Sequence, residues 1–421
     1  MVLEMRKMKD SGIEWIGEIP EGWEVATIGH LFSVTAGGDA KPHLYSFVQD
    51  AKHPYPVYTN SSNPNQIYAY TSAPIFNENT ITVTGRGDIG HAFYRNTKFD
   101  AIIRLLVLAP KSALDCRYYA YWIDNVSIFF TNSAAVGQLS AQQISPYKTC
   151  YLPLCEQQSI ANHLDFYCSK IEHILAEIQN NIQEYKKLKQ AVITQAVTKG
   201  VRGKREMKDS GVEWAGLVPH HWGVAKIGSI GQTSSGATPL RSKEASFFDD
   251  ATIRWVRTLD LNDGLVYDSS EKITELALAS SACSIMPKGT VCVAMYGGAG
   301  TIGKCGLLMS DCATNQAVCS IVCNREIVSP IFLLMQLLAL KSYWMKYAVG
   351  TRKDPNISQD VVARMKILIP PLDEQKEITD YLDAKCAEID GLIAKKEQLV
   401  KELESYKKSL IYEVVTGKRE V

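Results

Sequence analysis

The segment Met8-Lys9-Asp10-Ser11-Gly12-Ile13-Glu14-Trp15 returns almost unchanged, 199 residues later, as Met207-Lys208-Asp209-Ser210-Gly211-Val212-Glu213-Trp214. Gly17, Pro20 and Trp23 recur at the same spacing as Gly216, Pro219 and Trp222. A second block, Pro153-Leu154-Cys155-Glu156-Gln157, reappears 218 residues later as Pro371-Leu372-Asp373-Glu374-Gln375. Because both blocks keep their order, the chain is an internal duplication whose flanks match and whose intervening sequences differ.

The intervening sequences are residues 24–152 and 223–369. Both contain short runs of Val, Ile, Tyr and Thr separated by Gly, Pro and Asn, such as Ile81-Thr82-Val83-Thr84 and Thr290 to Tyr296. These runs predict strands, and Ile331 to Tyr347 is the clearest helical stretch. At 421 residues the chain is too long for one ordinary core. We therefore predict an α+β protein with two domains of mixed type.

A long stretch with apolar residues at steps of three and four follows each of these domains. It predicts one helix from about Glu156 to Thr198 and another from about Glu374 to Thr416. At about 1.5 Å per residue, each helix would be on the order of 65 Å long. The apolar stripe comprises Ile160, Leu164, Ile171, Ile178, Leu188 and Val192 in the first helix and Ile378, Leu382, Ile389, Leu392, Leu399, Leu403 and Leu410 in the second.

A long helix with one apolar stripe needs a partner helix to bury it. The duplication supplies two such helices in one molecule, and the domain between them is long enough to let them run antiparallel. We expect an antiparallel intramolecular coiled coil that separates the two domains, with pseudo-twofold symmetry. The alternative is a coil that joins two separate chains.

Charge and cysteine content limit the possible partners. The chain has 45 Lys and Arg against 45 Asp and Glu, so its net charge neither requires nor excludes nucleic acid. The basic run from Lys186 to Lys208 could meet phosphate or form a solvated helix end. Eleven cysteines without a CxxC pair indicate free thiols and no metal site. No segment resembles a membrane span or a signal peptide, so we expect a cytoplasmic protein.

Two glycine-rich segments, Gly85 to Gly90 and Gly298 to Gly303, match the GxGxxG pattern of dinucleotide sites. The residues after each look extended rather than helical, which favours a tight turn between two strands. Residues Gly298 to Lys304 also approach a phosphate loop, but Cys305 stands where Ser or Thr should hold magnesium. The only Pro-Pro pair, Pro370-Pro371, lacks the aromatic residue of an adenine methyltransferase loop. The absence of catalytic motifs favours a non-catalytic binding protein.

The sequence closely resembles the DNA-specificity subunits of type I restriction-modification systems over nearly the whole chain. The block from Asp10 to Trp23, repeated from Asp209 to Trp222, and the Pro-Leu-x-Glu-Gln sequence that opens each long helix carry this resemblance. Further matches are Tyr55 to Tyr58, Ser235 to Pro239, Trp255 to Arg257 and Ala313 to Ala317.

The resemblance implies a specific domain organisation. Residues 1–23 would form an N-terminal conserved segment, repeated at residues 206–222. Residues 24–152 and 223–369 would be the two target-recognition domains, each reading one half of a bipartite asymmetric target. The central region, 153–205, and the C-terminal region, 370–421, would contain the coiled-coil helices that set the spacing between the halves.

The resemblance also implies the partners. This chain would bind double-stranded DNA, two methyltransferase subunits and the restriction or motor subunits. S-adenosylmethionine, ATP and Mg would be bound by those partner subunits, so this chain would carry no cofactor, no metal and no catalytic residue.

Polar and basic residues near the glycine turns and loops are the candidates for DNA contact, because such side chains reach phosphates and base edges. They are Asn60, Ser61, Asn63, Arg86, Thr238, Arg241, Lys243, Arg257, Lys304, Arg352 and Lys353. Two other functions remain open from sequence alone. One is a structural coiled-coil adaptor between proteins, and the other is a nucleotide hydrolase that uses Gly298 to Lys304.

Overall fold

The computed structural model describes residues 6–127, 129, 138–240, 244–297, 300–350 and 355–421. The chain forms two compact units. Unit 1 contains residues 1–179 and 398–421, and unit 2 contains residues 180–397. Each unit therefore combines sequence from both repeats, because each long helix contributes residues to both units.

Unit 1 contains short strands and helices ahead of the first long helix. The strands are β1 (Met8–Asp10), β2 (Glu18–Pro20), β3 (Glu24–Thr27), β4 (Phe32–Ala36), β5 (Tyr45–Ser46), β6 (Tyr55–Tyr58), β7 (Ile67–Thr71), β8 (Thr80–Val83), β9 (Ala92–Arg95), β10 (Asp100–Ala101), β11 (Leu106–Pro110) and β12 (Lys148–Tyr151). The helices are α1 (Ile28–Leu31), α2 (Cys116–Asn125) and α3 (Ala141–Ile144), with a 3-10 turn at Pro42–Leu44, and the long helix α4 (Leu154–Lys199) begins in this unit and continues into unit 2.

An antiparallel sheet in the order β4-β11-β8-β9 forms the centre of unit 1. Strand β8 is buried along its whole length, because Ile81 and Val83 share a core with Tyr119 and Trp122 of α2. A second sheet, in the order β10-β6-β7-β5, contains one parallel pair, β6 and β10. The pairs β1-β2 and β3-β12 complete the strand pairing described for this unit.

Unit 2 repeats this pattern with more strands. They are β13 (Met207–Asp209), β14 (Leu217–Pro219), β15 (Gly223–Lys226), β16 (Gly231–Ser235), β17 (Ile253–Val256), β18 (Gly264–Val266), β19 (Lys272–Ile273), β20 (Ile285–Met286), β21 (Val291–Ala294), β22 (Cys305–Leu308), β23 (Cys312–Thr314), β24 (Val318–Cys323), β25 (Val349–Gly350), β26 (Pro355–Asn356) and β27 (Lys366–Ile369). The helices are α5 (Ile227–Ile230), α6 (Glu244–Phe248), α7 (Glu275–Ala279), α8 (Pro330–Ala339) and α9 (Gln359–Arg364), with a 3-10 turn at Lys341–Lys346, and the long helix α10 (Leu372–Val415) begins in this unit and continues into unit 1.

The sheets of unit 2 correspond to those of unit 1. The order β16-β24-β21-β22 matches β4-β11-β8-β9, and β18 extends this sheet by one strand. The sheet β19-β17-β23-β20 again contains one parallel pair, β17 and β23. Diverged sequences thus fold into the same arrangement, and the predicted α+β class with internal duplication is confirmed.

One glycine in each unit lets its two sheets pass close together. A Cβ atom on Gly37 would lie 2.5 Å from the carbonyl oxygen of Ala101, at the end of β10. A Cβ atom on Gly236 would lie 2.0 Å from the carbonyl oxygen of Thr314, at the end of β23. Both distances are shorter than any real contact, so only glycine fits at these two crossings.

In unit 1, the two repeated sequence blocks contact each other through Glu156, in the first turn of α4. Its carboxylate accepts hydrogen bonds from the indole N–H of Trp23, at 2.9 Å, and from the guanidinium of Arg6, at 2.6 Å. The N-terminal block is therefore tied to the start of a helix more than a hundred residues away.

In unit 2, Glu374 makes the corresponding contact in a more buried setting. Its carboxylate accepts from the indole N–H of Trp222, at 3.2 Å, and from Arg205, at 2.6 Å. The ring of His221 lies 2.7 Å from the same carboxylate, and Arg202 lies at 3.3 Å. Burial acts to raise the pKa of Glu374, but hydrogen bonds from Arg205, His221 and Trp222 outweigh it and lower the pKa.

The glutamine that follows each glutamate ties the helix to the adjoining domain. The amide of Gln157 accepts from the backbone N–H of Asp115, at the start of α2, and donates to the carbonyl of Leu152. These two distances are 2.9 and 2.8 Å. Gln157 is buried, so this amide exchanges its hydrogen bonds with water for bonds to backbone groups of the domain.

Gln375 makes the corresponding hydrogen bonds in unit 2. We call these hydrogen bonds of Gln157 and Gln375 the glutamine latch. Gln375 accepts from the N–H of Ser329, ahead of α8, and donates to the carbonyls of Ile327 and Pro370, all within 2.8 to 2.9 Å. The repeated Glu-Gln pair thus positions each domain on its long helix, which explains why both copies keep these residues.

The two long helices run antiparallel, as predicted. In unit 1, Ile160, Leu164, Cys168 and Ile171 of α4 share a core with Leu410, Ile411, Val414 and Val415 of α10. In unit 2, Ile193, Ala196 and Val197 of α4 share a core with Ile378, Leu382 and Cys386 of α10. Within unit 2, Lys186 lies 3.9 Å from Glu397 and Lys189 lies 2.6 Å from Asp390, so the chain directions are opposed.

Most predicted stripe residues are buried or half-buried, including Ile178 and Ile389, but three predictions are wrong. Leu188, Leu392 and Leu399 are exposed, at 49%, 37% and 41%. They are the sequence neighbours of Lys189, Ile393 and Val400, which are buried or half-buried. One residue is about 100° around a helix, so a leucine beside the buried stripe faces solvent.

An ion pair recurs at the same repeat position in both units. Lys407 lies 2.6 Å from Glu172 in unit 1, and Lys189 lies 2.6 Å from Asp390 in unit 2. The lysines and the acids are each separated by 218 residues, the spacing of the Pro-Leu-x-Glu-Gln blocks. The same ion pair therefore recurs at equivalent positions of the two repeats.

The glutamine latch predicts the effect of Gln375→Ala. The change leaves the N–H of Ser329 and two carbonyls buried without partners, so we expect the free energy of unfolding to fall by about 3 kcal/mol. Denaturant unfolding of the purified chain measures this, with Gln398→Ala, an exposed glutamine of the same helix, as the control. Equal stability of the two variants would contradict the prediction that the hydrogen bonds of Gln375 stabilise the fold.

The lowered pKa of Glu374 predicts a pH-dependent effect of Glu374→Gln. A carboxylate with a depressed pKa stabilises the fold above its ordinary pKa of 4.5, and this contribution is lost as pH falls through the lowered value. We expect the variant to be about 2 kcal/mol less stable than the wild type at neutral pH, with the difference shrinking in acid. Unfolding curves across this pH range test it. Glu404→Gln, at an exposed position of the same helix, is the control, and a difference independent of pH would refute the prediction.

Candidate nucleic-acid interface

The predicted DNA-contact residues fall into three groups. Asn60, Ser61, Asn63 and Arg86 lie in unit 1, whereas Thr238, Arg257 and Lys304 lie in unit 2. Arg241, Lys243, Arg352 and Lys353 lie outside the described residues.

The three polar residues after β6 are engaged with protein groups. The amide of Asn60 donates to the carbonyl of Ile103 and accepts from the N–H of Gly85, at 2.7 Å. Ser61 donates to Gln66 at 2.6 Å and accepts from the N–H of Asn63. The side chain of Asn63 accepts from Asn65 at 3.0 Å. These hydrogen bonds shape the loops of unit 1.

The glycine-rich segment of unit 1 is a turn between two antiparallel strands, β8 and β9. Thr84 closes it, because its hydroxyl donates to the carbonyl of Asp88 at 2.6 Å and accepts from the N–H of His91 at 3.0 Å. Arg86 is exposed on this turn. The predicted tight turn is confirmed, and a dinucleotide site is not formed, because no helix follows the glycines.

The second glycine-rich segment joins β21 and β22, which are also antiparallel. Its residues 298 and 299 lie outside the described residues. Cys305 begins a buried strand rather than a helix, which removes the basis for a nucleotide-binding phosphate loop. The side chain of Lys304 is half-buried at the edge of this turn.

Two further candidates in unit 2 also bind protein groups. The guanidinium of Arg257 lies 2.5 Å from Glu271 and donates to Ser270 at 2.8 Å. The hydroxyl of Thr238 accepts from the amide of Asn315 at 2.7 Å. The charge of Arg257 is therefore balanced within the protein.

The basic run after Lys186 forms ion pairs with α10. Arg202 pairs with Asp373, Glu374 and Glu377, and Arg205 pairs with Glu374. These pairs fasten the segment after α4 to the start of α10 in unit 2, a role that neither sequence interpretation of the run had considered.

Cysteine spacing in the sequence indicated free thiols. Every one of the eleven cysteines is free, and all except Cys155 and Cys323 are buried. Across the described ranges, no cluster of three or more His, Cys, Asp or Glu side chains is arranged to hold a metal ion. In the same part of the chain, no helix is both long and apolar enough to cross a membrane.

The fold defines a class of protein: a duplicated α+β scaffold in which each of two domains is latched to long shared helices. A sequence model of the family described as "Type I restriction modification DNA specificity domain" matches residues 20–184 and, a second time, residues 219–402. The two matches cover more than half of the chain and coincide with the two repeats. The chain therefore belongs to the family of type I restriction-modification DNA specificity subunits, which are non-catalytic.

Individual relatives agree with this assignment. The type I restriction enzyme MjaVIII specificity subunit of Methanocaldococcus jannaschii is 23% identical over 435 residues, covering 99% of this chain and 98% of that protein. The EcoBI specificity subunit of Escherichia coli is 26% identical over 274 residues, which cover 62% of this chain and 56% of that protein. The putative specificity subunit S.MpnORF89P of Mycoplasma pneumoniae is 29% identical, but the match spans only 36% of this chain and 46% of that protein.

A solved structure shares the fold over nearly the whole chain. It concerns the complex assembly and conformational transition of the type I R-M system. The two chains superpose with a TM-score of 0.72 at 12% sequence identity, covering 94% of this chain and 98% of the other.

Proposed function

We propose that this specificity subunit reads a bipartite asymmetric DNA target, with residues 24–152 reading one half and residues 223–369 the other. In this proposal the helices of residues 153–205 and 370–421 set the number of unread base pairs between the halves. The repeated segments 1–23 and 206–222 anchor the domains to these helices.

The main support is that two diverged sequences share one architecture. The sheet order, the glycine crossing and the hydrogen bonds of the Glu-Gln pair recur in both units. The exposed loops, in contrast, carry different residues. Two domains that read different half-sites need the same frame and different side chains facing the bases.

We further propose that two methyltransferase subunits bind the repeated flanks and helices. The repeated ion pairs Lys407–Glu172 and Lys189–Asp390 support this, because a duplicated frame presents equivalent surfaces twice. Restriction or motor subunits would join the same assembly in the cytoplasm. S-adenosylmethionine, ATP and Mg would reside on those partners.

Among the predicted contacts, we propose that Arg86 and Lys304 contact DNA from the two glycine turns, with phosphate or guanine as the partner. Asn60 supports such contacts by holding its loop. Arg241, Lys243, Arg352 and Lys353 remain proposed contacts on the basis of sequence.

The proposed function can be tested by mapping methylated adenines in host DNA. The chain would be co-produced with its methyltransferase subunits, and the DNA sequenced for methylated adenine, with a strain lacking this chain as the control. A single bipartite motif that disappears in the control supports the proposal. A stable complex that modifies no defined motif would favour the structural adaptor instead.

Exchange of one domain provides a sharper prediction. Replacing residues 24–152 with the corresponding segment of another family member should change one half of the modified motif and leave the other half unchanged. The reciprocal exchange of residues 223–369 is the matched control and should change only the other half. A change in both halves after either exchange would contradict the division of labour.

The proposed role of the long helices predicts that their length sets the length of the unread spacer. Seven residues inserted after Ile182 in α4, and seven at the corresponding position after Val400 in α10, add about 10 Å and keep the buried stripe in phase within about 20°. We expect the unread spacer to widen by about three base pairs, given about 3.4 Å per base pair. The modified motif reports this directly. Alanine at the exposed Gln183 and Glu184 should leave the spacer unchanged. An unchanged spacer after the insertions would refute the proposal that the helices set its length.

A further inference from the structure

The turn between β10 and β11 in unit 1 has an unusual backbone. Ile103 and Arg104 follow each other in the left-handed region, with φ of 54° and 56°. A β-branched residue rarely adopts this conformation, because its side chain crowds the backbone. Strain of this kind persists only where the surrounding structure imposes it, and it is common at functional sites.

Three neighbouring loops impose this conformation. The N–H of Ile103 donates to the carbonyl of Gly38 at 3.0 Å, and its carbonyl accepts from the amide of Asn60. The same Asn60 amide accepts from the N–H of Gly85 at 2.7 Å, which links the turn to the glycine turn after β8. The turn is thus tied by hydrogen bonds to neighbouring loops, although it lies at the surface.

The turn displays an apolar side chain followed by an arginine, and a second arginine lies on the adjoining glycine turn. Ile103 is 46% exposed, and Arg104 is exposed beside it. Arg86 follows Gly85, whose Cβ position lies 3.3 Å from the carbonyl oxygen of Arg104. Within the described parts of the chain, neither arginine forms an ion pair with an acidic group. Leu105, the next residue, is buried, so the exposure is confined to the tip.

Unit 2 has a turn at the corresponding place, between β23 and β24. The N–H of Asn315 donates to the carbonyl of Val256 at 2.9 Å. In unit 1, the N–H of Ile102 donates to the carbonyl of Tyr58 in the same way, at 3.0 Å. The next residue, Gln316, is exposed, and its carbonyl accepts from Ser235 at 2.9 Å. The same fixed position therefore presents an isoleucine and an arginine in one domain and a glutamine in the other.

We infer that this turn is a base-reading element in each domain: Ile103 and Arg104, flanked by Arg86, read the first half-site, and Gln316 reads the second. The inference rests on the proposed DNA-reading function and names the residues that carry it out. Arginine pairs with O6 and N7 of guanine, glutamine pairs with N6 and N7 of adenine, and an aliphatic side chain contacts the methyl group of thymine. A turn held by hydrogen bonds presents such groups with a smaller loss of conformational freedom on binding than an unsupported loop would suffer.

Selection from a randomised DNA duplex tests the inference with the complete complex of this chain and its methyltransferase subunits. Three variants are compared with the wild type: Arg104→Gln, Ile103→Gly and Gln316→Ala. Lys98→Gln is the matched control, because it removes one exposed positive charge from the same domain. Glycine accepts the left-handed conformation without strain, so Ile103→Gly should still fold, and thermal unfolding of each variant checks this.

We expect Arg104→Gln and Ile103→Gly to lose about tenfold or more of the preference at one or two adjacent positions of one half-site. Gln316→Ala should do the same in the other half-site only. Lys98→Gln should select the wild-type motif.

Other outcomes overturn the inference in distinguishable ways. If Arg104→Gln weakens binding equally for all sequences, Arg104 contacts phosphate and does not read bases. If all three variants select the wild-type motif, the turn takes no part in reading. If the wild-type complex itself selects no motif, the proposed DNA-reading function has failed, and the inference fails with it.

Discussion

A buried glutamine amide has one favourable position only, because each of its hydrogen-bonding groups must meet a partner once water is removed. Gln157 and Gln375 satisfy this requirement with backbone groups of the adjoining domain. The carboxylates of the preceding glutamates accept hydrogen bonds from the tryptophans of the other repeated block. In each unit, the hydrogen bonds of one glutamate and one glutamine at the start of the long helix therefore join the helix, the domain and the anchoring segment, and the rest of the unit depends on them.

This latch separates what must stay constant from what can vary. The carboxylate and the amide bind mainly backbone groups and residues of the repeated blocks, so the sequence inside each domain is free to change. The glycine crossings at Gly37 and Gly236 have the same effect, because they fix the two sheets through backbone contact alone. With such a frame, a change of specificity requires only new side chains at the surface.

Patterns close together in the sequence predicted most of the architecture. The repeats predicted two units, the runs of β-branched residues predicted strands, and the spacing of apolar residues predicted two antiparallel helices. The same spacing misplaced Leu188, Leu392 and Leu399, because a leucine one residue from the buried stripe looks the same in sequence as a leucine within it. Asn60 was predicted to contact DNA, whereas its hydrogen bonds are with Ile103 and Gly85.

The sequence by itself determined the duplication, the class of fold, the long helices and the family, because each depends on periodicity or on residues repeated in order. Only the tertiary structure decided which polar residues are free. Arg202 is bound by Glu377, 175 residues away, and Arg257 by Glu271, whereas Arg104 is left at the surface of a turn whose strain no sequence pattern shows. The physical reason is that ion pairs and backbone strain arise between segments that meet only after folding, so neither the partner nor the conformation is encoded in the local sequence.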